Sequence, residues 1–249
     1  MSNYETFASL HVPGDPLVLY NVWDVGSALA VVAAGATALA TGSHPVADAN
    51  GYPDGEKVPI DFALANATRI VAAVDVPLSV DFEGAYSADP DEGATNMRRL
   101  AETGAVGCNF EDQVIGGEGL HPIEQQAKRV TAVVESGLWV NARTDIFLKR
   151  LIARENPNDR SLLPEALERA NAFAEAGAHS FFVPGLGDLE IIAEVCEASP
   201  LPVNVIKGDA MDLAATAAAG VGRISWGPRP WRWAMDKLTD DAKAVYTKL

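Results

Sequence analysis

Three segments of the chain end in clustered carboxylate, amide and guanidinium groups: Val80-Asp81-Phe82-Glu83, Asn109-Phe110-Glu111-Asp112 and Asn141-Ala142-Arg143-Thr144-Asp145. Each follows a short apolar run and reads as the end of a β-strand. Side chains alternate along a strand, so Asp81 and Glu83 share one side, as do Asn109 and Glu111, and Asn141 and Arg143. With those sides turned inward, three carboxylates converge. Such carboxylates repel one another and resist joint ionisation. A hard divalent cation removes the conflict, and Mg2+ takes one or two protein carboxylates while keeping several waters. Asp81, Glu83 and Glu111 are therefore the expected Mg2+ site (Mn2+ being the other candidate ion), in part through water. The competing use of the same groups is a salt-bridge ring with Arg143 and Lys207.

Arg143 has a planar fork suited to two-point contact with a carboxylate or phosphonate. Its competing use is as a structural partner of Glu111 or Asp145. A further apolar run ends Thr41-Gly42-Ser43-His44. This small-residue turn offers backbone N–H groups and a hydroxyl to an anion. His44 adds a group able to carry a proton or to select a substrate; otherwise it packs or caps.

These groups need a frame that brings strand ends together. Eight short apolar runs lie at 17–21, 38–43, 78–83, 107–112, 138–143, 180–184, 203–207 and 223–226. Helical segments at 26–34, 61–74, 90–103, 122–136, 164–176, 188–198, 211–219 and 230–248 alternate with them. Several helices open on Asp or Pro and stop at Gly, as helix ends require. Eight strand–helix units without a break in composition predict one (β/α)8 TIM barrel over residues 1–249, whose active site lies at the C-terminal ends of the strands. A doubly wound open sheet is the alternative, weakened by the lack of a Gly-x-Gly-x-x-Gly after the first strand. The polar stretch 148–163 is the longest expected loop and a candidate cover.

Composition narrows the partners. The chain has 249 residues, 34 acidic against 19 basic, for a formal charge of −15. That balance disfavours a nucleic-acid binder, which needs clustered Lys and Arg. Cys108 and Cys196 are the only cysteines, too few for a disulfide framework or a four-ligand zinc site. A reduced, cytoplasmic setting fits, and the first residues lack a signal-peptide layout. The uncharged stretch 25–47 is long enough to cross a bilayer. Its Gly, Ser, His and Pro content instead predicts a helix, a turn at Gly35 and a buried strand, with no membrane partner.

The segments "LYNVWDVGSA", "ALATGSHPVADANGYPDGE", "LSVDFEGAYS", "GAVGCNFEDQ", "WVNARTD" and "FVPGL" occur in that order. Together they resemble the isocitrate lyase / phosphoenolpyruvate mutase superfamily, from about residue 17 to 226. The resemblance implies a (β/α)8 barrel that uses Mg2+ and acts on an α-oxo acid or dicarboxylate through a pyruvate-enolate-like intermediate. By the same resemblance, Asp81 is the direct metal ligand, with Glu83 and Glu111 as further acids of the metal shell. Arg143 binds the substrate carboxylate, and Gly42, Ser43 and His44 form the anion-binding loop. Asp54, in Gly-Tyr-Pro-Asp, positions substrate, and Asn204 on the seventh strand faces it. Oligomers are implied, dimers or tetramers, with the C-terminal helix at the subunit contact. The cluster Trp226, Trp231 and Trp233 suits such a contact or an internal seal. Arg229 is a weaker phosphate-binding candidate.

Two departures bear on the reaction. The family's lyases carry Lys-(Lys/Arg)-Cys-Gly-His after the Glu-Asp-Gln segment, and the cysteine serves as acid/base. Here the stretch reads Val114-Ile115-Gly116-Gly117-Glu118-Gly119-Leu120-His121. The polar Lys/Asn pattern of the mutases and phosphonopyruvate hydrolases is absent too. Cys108 has the wrong strand parity to substitute and reads as a buried small hydrophobe, while His121 reads as a cap of the next helix. The expected function is thus a Mg2+-dependent lyase, by decarboxylation or retro-aldol cleavage, with Arg143, Ser43 and His44 in the catalytic centre. A non-catalytic oxo-acid-binding barrel, a phosphonomutase or phosphonopyruvate hydrolase, and a metal-dependent aldolase are the competing readings.

Overall fold

A computed structural model describes residues 1–247. The eight strands form where the apolar runs predict them: β1 (Leu17–Leu19), β2 (Leu39–Ala40), β3 (Leu78–Asp81), β4 (Gly107–Glu111), β5 (Trp139–Arg143), β6 (Ser180–Phe182), β7 (Val203–Ile206) and β8 (Arg223–Ser225). They pair in parallel in the order β1-β8-β7-β6-β5-β4-β3-β2. The seam between β1 and β2 is spanned by a bridge between Val22 and Thr41, and Val22 N–H donates to the Ala40 carbonyl at 2.9 Å. The sheet is therefore a nearly closed barrel, with helices between its strands.

Strand alternation divides the molecule into two cores. Outward residues such as Val80, Cys108, Phe110, Val140, Phe181 and Ile224 pack against the helices. Cys108 lies fully buried there, and burial pushes its thiol up to about 12, in keeping with a packing role. Inside the barrel, the end opposite the strand C-termini is filled by Phe7, Leu17, Leu19, Ala38 and Ala40. Phe7 comes from α1 (Asn3–Ser9), a helix not read in the sequence, which Ser2 and Glu5 start with a reciprocal capping box. Above this plug the interior turns polar, and Asn141 donates to Asn109 at 2.8 Å and to Asn204 at 3.0 Å.

The expected helices form as α2 (Val25–Ala33), α4 (Ile60–Ala73), α5 (Pro90–Glu102), α6 (Ile123–Val134), α8 (Leu163–Glu175), α9 (Leu189–Ala198), α10 (Leu213–Ala218) and α11 (Arg229–Tyr246). The expected end of α11 at 248 lies outside the described residues. No helix among those described is long and apolar enough to cross a membrane, and 25–47 divides into α2, a turn at Gly35, β2 and, where the strand is expected to continue, the start of a further helix at Ser43. Trp226 and Trp233 flank Tyr20, with ring centroids 5.9 and 6.4 Å away, and join α11 to the end of β1. Pro230 is the one described residue of α11 that is buried.

Two further helices change the expected loops. α3 (Ser43–Ala49) begins directly after β2, with Gly42 as its N-cap residue. The stretch expected as a cover is largely structured, since α7 (Ile146–Ile152) runs into it and a 3-10 turn at Arg160–Leu162 closes it. α7 is seated on the β6 loop at Gly185, which has φ 91° and where a Cβ would stand 2.7 Å from the Leu148 backbone nitrogen. Only glycine allows both the backbone conformation and the close approach. Gly185→Ala is accordingly expected to destabilise the protein by at least about 2 kcal/mol. Urea unfolding checks this, and an unchanged midpoint would show that α7 is held by other contacts.

Candidate active site

The C-terminal ends of the strands open into a cleft of about 870 Å³. Asp81, at the last position of β3, lies on its floor. The Asp81 N–H donates to Thr41 Oγ1 at 3.0 Å, and its Oδ2 accepts the Ser43 N–H at 3.1 Å. The first amide of α3 is thus engaged by Asp81 rather than held free for an anion. Asp81 Oδ1 is buried and has no hydrogen-bond partner. An orphaned carboxylate oxygen in an acidic surrounding suits a hard cation.

The other two carboxylates stand behind this floor. Glu111 is buried, with Oε2 2.8 Å from Arg143 Nη1. Strand geometry ends at Asp81, and Glu83 has φ 51°, so alternation no longer fixes its side. Its Oε2 accepts the Glu56 N–H at 2.8 Å. Asp81 and Glu83 both line a space of about 20 Å³, room for one water, together with Thr41, Ser43, Asn66 and Tyr86 and the apolar Val46, Val58, Ala63, Ala67 and Val80. No group of three His, Cys, Asp or Glu side chains among the described residues is close enough to hold a metal together. The donor set that fits a dication is thus narrower than the expected trio: Asp81 directly, with Glu83 and Glu111 at greater distance.

Arg143 is also placed differently from the expectation of a free fork. Its Nε and Nη2 donate to Asp145 at 2.6 and 2.9 Å, its Nη1 meets Glu111, and Asp81 Oδ1 lies 3.9 Å from Nη1. The two-point edge is closed by Asp145. Asp145 is positioned in turn by Asp112, whose Oδ1 accepts the Asp145 N–H at 2.9 Å and whose Oδ2 pairs with Arg169 at 3.1 Å. Strand alternation does not mark these supporting residues as part of the site, because it reports only which side chains face the axis. Lys207 donates to the Gly208 carbonyl instead of joining a ring of salt bridges.

The remaining candidates divide between rim and interior. Gly42, Ser43, His44 and Asp54 all line the cleft. His44 has Nε2 3.0 Å from Asp48 and Nδ1 3.6 Å from Asp54, and Arg232 Nη2 approaches Nε2 at 3.2 Å. Asn204, expected to face substrate, is fully buried below the floor, where it donates to the Val205 and Arg223 carbonyls at 2.9 and 3.2 Å. Its place in the cleft is taken by Asn21, Asn109 and Ser225. Arg229 is held by Asp209 at 3.0 Å and by the Lys207 carbonyl at 2.7 Å. His121 does not cap its helix with its side chain. It is buried, and its carbonyl accepts from Arg169 at 3.0 Å. The loop after Gln113 folds on itself through a Gln113–Leu120 bridge and a Val114–Gly119 hydrogen bond of 3.2 Å.

Carboxylates outnumber cations around the floor. Asp81, Glu111 and Asp145 face Arg143, Glu83 adds its charge near Asp81 and Asp54, and Arg223 is buried beneath, donating to Asn109 at 3.3 Å. Burial, opposed by Arg143 and reinforced by the neighbouring acids, pushes Glu111 up. Burial, with Asp54 and Asp81 adding to it, pushes Glu83 up to about 8. In the metal-free protein this has a definite sign. Between the ordinary 4.5 and about 8, the unfolded chain has released the Glu83 proton while the folded chain retains it. Stability is therefore greatest at the acid end of that window and falls as pH rises through it. Glu83→Gln keeps an acceptor for Glu56 and removes the penalty. In EDTA it is expected to melt a few degrees above wild type at pH 8 and level with it at pH 5; equal melting temperatures at pH 8 would refute the assignment.

Comparison with known proteins agrees with the motifs. A family profile for phosphoenolpyruvate phosphomutase matches residues 7–246. A crystal structure from Burkholderia cenocepacia J2315, provisionally named a phosphonomutase, has 42% identity and a TM-score of 0.92, covering 97% of this chain and 99% of that one. An uncharacterized protein of Mycobacterium tuberculosis strain H37Rv is 33% identical over 246 residues, 96% of this chain and 88% of the relative. The 2-methylisocitrate lyase of Escherichia coli K12 is 27% identical over 207 residues, 78% of this chain and 70% of the lyase. With a profile match over nearly its full length, the chain belongs to the phosphoenolpyruvate phosphomutase family.

Proposed function

We propose that the protein is a Mg2+-dependent lyase that cleaves the C3–C4 bond of an α-oxo acid, the bond one carbon removed from the oxo group, and releases pyruvate. The observation that carries this reading is the buried Oδ1 of Asp81 at the floor of the cleft, which has no hydrogen-bond partner. Asp81 would hold the ion, with Glu83 and Glu111 reached through water. When bound, a dication there supplies Lewis acidity to the oxo group and counter-charge for an enolate.

The chain's own groups supply the rest. The Ser43 N–H fixes the Asp81 carboxylate, and Thr41 Oγ1 holds the Asp81 backbone by accepting its N–H. Asn21, Asn109 and Ser225 give the floor uncharged donors and acceptors. Arg143 uses three of its five N–H bonds on Asp145 and Glu111, which leaves two for a substrate carboxylate. It contributes charge and orientation rather than a free two-point clamp. As the bond breaks, its electron pair stays with the oxo-acid half as an enolate. His44, held beside Asp48 and Asp54 at the rim, returns the proton that completes pyruvate. In retro-aldol cleavage the same imidazole first accepts the hydroxyl proton of the departing half. Decarboxylation needs only the protonation step.

A phosphonate substrate is the second reading, supported by the 42% identity to the Burkholderia protein provisionally named a phosphonomutase. It is also supported by Arg232, which lines the cleft and has no carboxylate within 4.0 Å among the described residues. A panel of oxaloacetate, 4-hydroxy-2-oxo acids and phosphonopyruvate, assayed with and without Mg2+, separates the readings. Pyruvate release without phosphate is expected, lost in EDTA and reduced at least about 100-fold in Asp81→Asn. Phosphate release would favour the phosphonate reading. Stabilisation by an oxo acid with no turnover would show a binding protein and overturn both.

A further inference from the structure

The cleft is larger and more one-sided than a small polar acid requires. Its volume of about 870 Å³ lies in the upper part of the range that takes drug-sized ligands. The groups able to bind an oxo acid, Asp81, Asn109, Arg143 and Ser43, occupy only the floor. Beside them stands a continuous apolar wall. It begins at Phe182, whose ring centre is 5.9 Å from the Arg143 guanidinium carbon, and continues over Leu148, Leu151 and Ile152 of α7. Leu151 and Ile152 are 50% and 69% exposed although they face the cleft. Apolar side chains left open to solvent beside a polar site mark a ligand groove. The wall is also fixed in place, because α7 rests backbone to backbone on Gly185. Charged groups among the other lining residues, the Arg229–Asp209 pair, Arg232 and Asp236, stand with Met211 and Trp233 beside them, so charge returns to the cleft away from the α7 wall.

We infer that the substrate carries an apolar substituent of several carbons on the half that departs from pyruvate, and that this substituent lies along Phe182, Leu148, Leu151 and Ile152. The inference rests on the lyase reading and narrows its substrate class to 4-alkyl-4-hydroxy-2-oxo acids. The step balances. The C3–C4 bond breaks, the C4 hydroxyl loses its proton to His44, and the C4 half leaves as an aldehyde bearing the alkyl chain. The electron pair of the broken bond remains on the three-carbon half, which takes the proton back and leaves as pyruvate.

Calorimetry with a series of straight-chain 2-oxo acids from pyruvate to 2-oxooctanoate, at saturating Mg2+, tests the wall independently of turnover. Affinity is expected to rise about two- to fourfold per methylene. In Leu151→Ser/Ile152→Ser the ratio of the pyruvate to the 2-oxooctanoate Kd is expected to shrink at least tenfold. Both side chains are largely exposed, so the variant is expected to fold normally, which a melting curve checks. Pyruvate binding with a flat or falling series would overturn the inference and leave the lyase reading standing. A flat series together with a change of oligomeric mass in the variant would assign the wall to a contact between copies, and would also overturn it. If no 2-oxo acid binds in the presence of Mg2+, the lyase reading fails and this inference with it.

Discussion

A single buried guanidinium sets the terms on which the strand ends meet. Arg143 touches Asp145 and Glu111 and stands 3.9 Å from Asp81, within a barrel mouth where carboxylates outnumber cations. Breaking one member of such a buried set leaves another charge unpaired, at a cost of several kcal/mol. The cluster therefore holds β3, β4 and β5 in register at their C-terminal ends. It also leaves a residual negative charge on the side that opens to the cleft. That imbalance is tolerable in a folded protein only if protons are retained or a cation is present. It ties the stability of the barrel mouth to the chemistry of the site.

The surroundings of Asp81 follow from this. One carboxylate oxygen is satisfied by the first amide of α3, and the other has no hydrogen-bond partner, with the Arg143 guanidinium 3.9 Å away. α3 starts without delay after β2 because Gly42 occupies its N-cap position and Ser43 follows at once. The same geometry removes Ser43 N–H from the group of free anion donors. Arg143, closed by Asp145, keeps only part of its donor capacity for a ligand. The site is thus built less from open, waiting donors than from groups that already hold one another in place. Preorganisation of that kind limits the rearrangement needed when charge develops.

Rigidity extends to the walls. Gly185 lets α7 approach the β6 loop at backbone contact, so what reads in sequence as a polar loop becomes a fixed apolar side of the cleft. Trp226 and Trp233, gathered around Tyr20, tie α11 to the other side. The result is a cleft with a charged floor, an apolar wall on α7 and a rim where Arg229, Arg232 and Asp209 mix with Met211 and Trp233. That asymmetry orients a ligand with a polar end and an apolar end in one way.

The sequence alone determined the barrel, because eight short apolar runs, separated by capped helical segments, permit few other arrangements. It also determined that Asp81, Glu111 and Arg143 would gather, since the register of parallel strands carries equivalent strand ends to one mouth. The opposite parity of Cys108 was legible for the same reason. Tertiary structure decided what alternation cannot reach. Glu83 lies past the end of its strand in a left-handed conformation, and Asn204 is on a barrel-facing strand but one layer too deep. Asp145 claims the edge of Arg143 through a contact two residues away that depends on Asp112 and Arg169 from elsewhere in the chain. The apolar wall of α7 arises from a packing contact with Gly185. Local periodicity records which way a residue points within its own element. It does not record how deep that residue sits or which distant group is waiting there, because both depend on distances set only when the elements pack together.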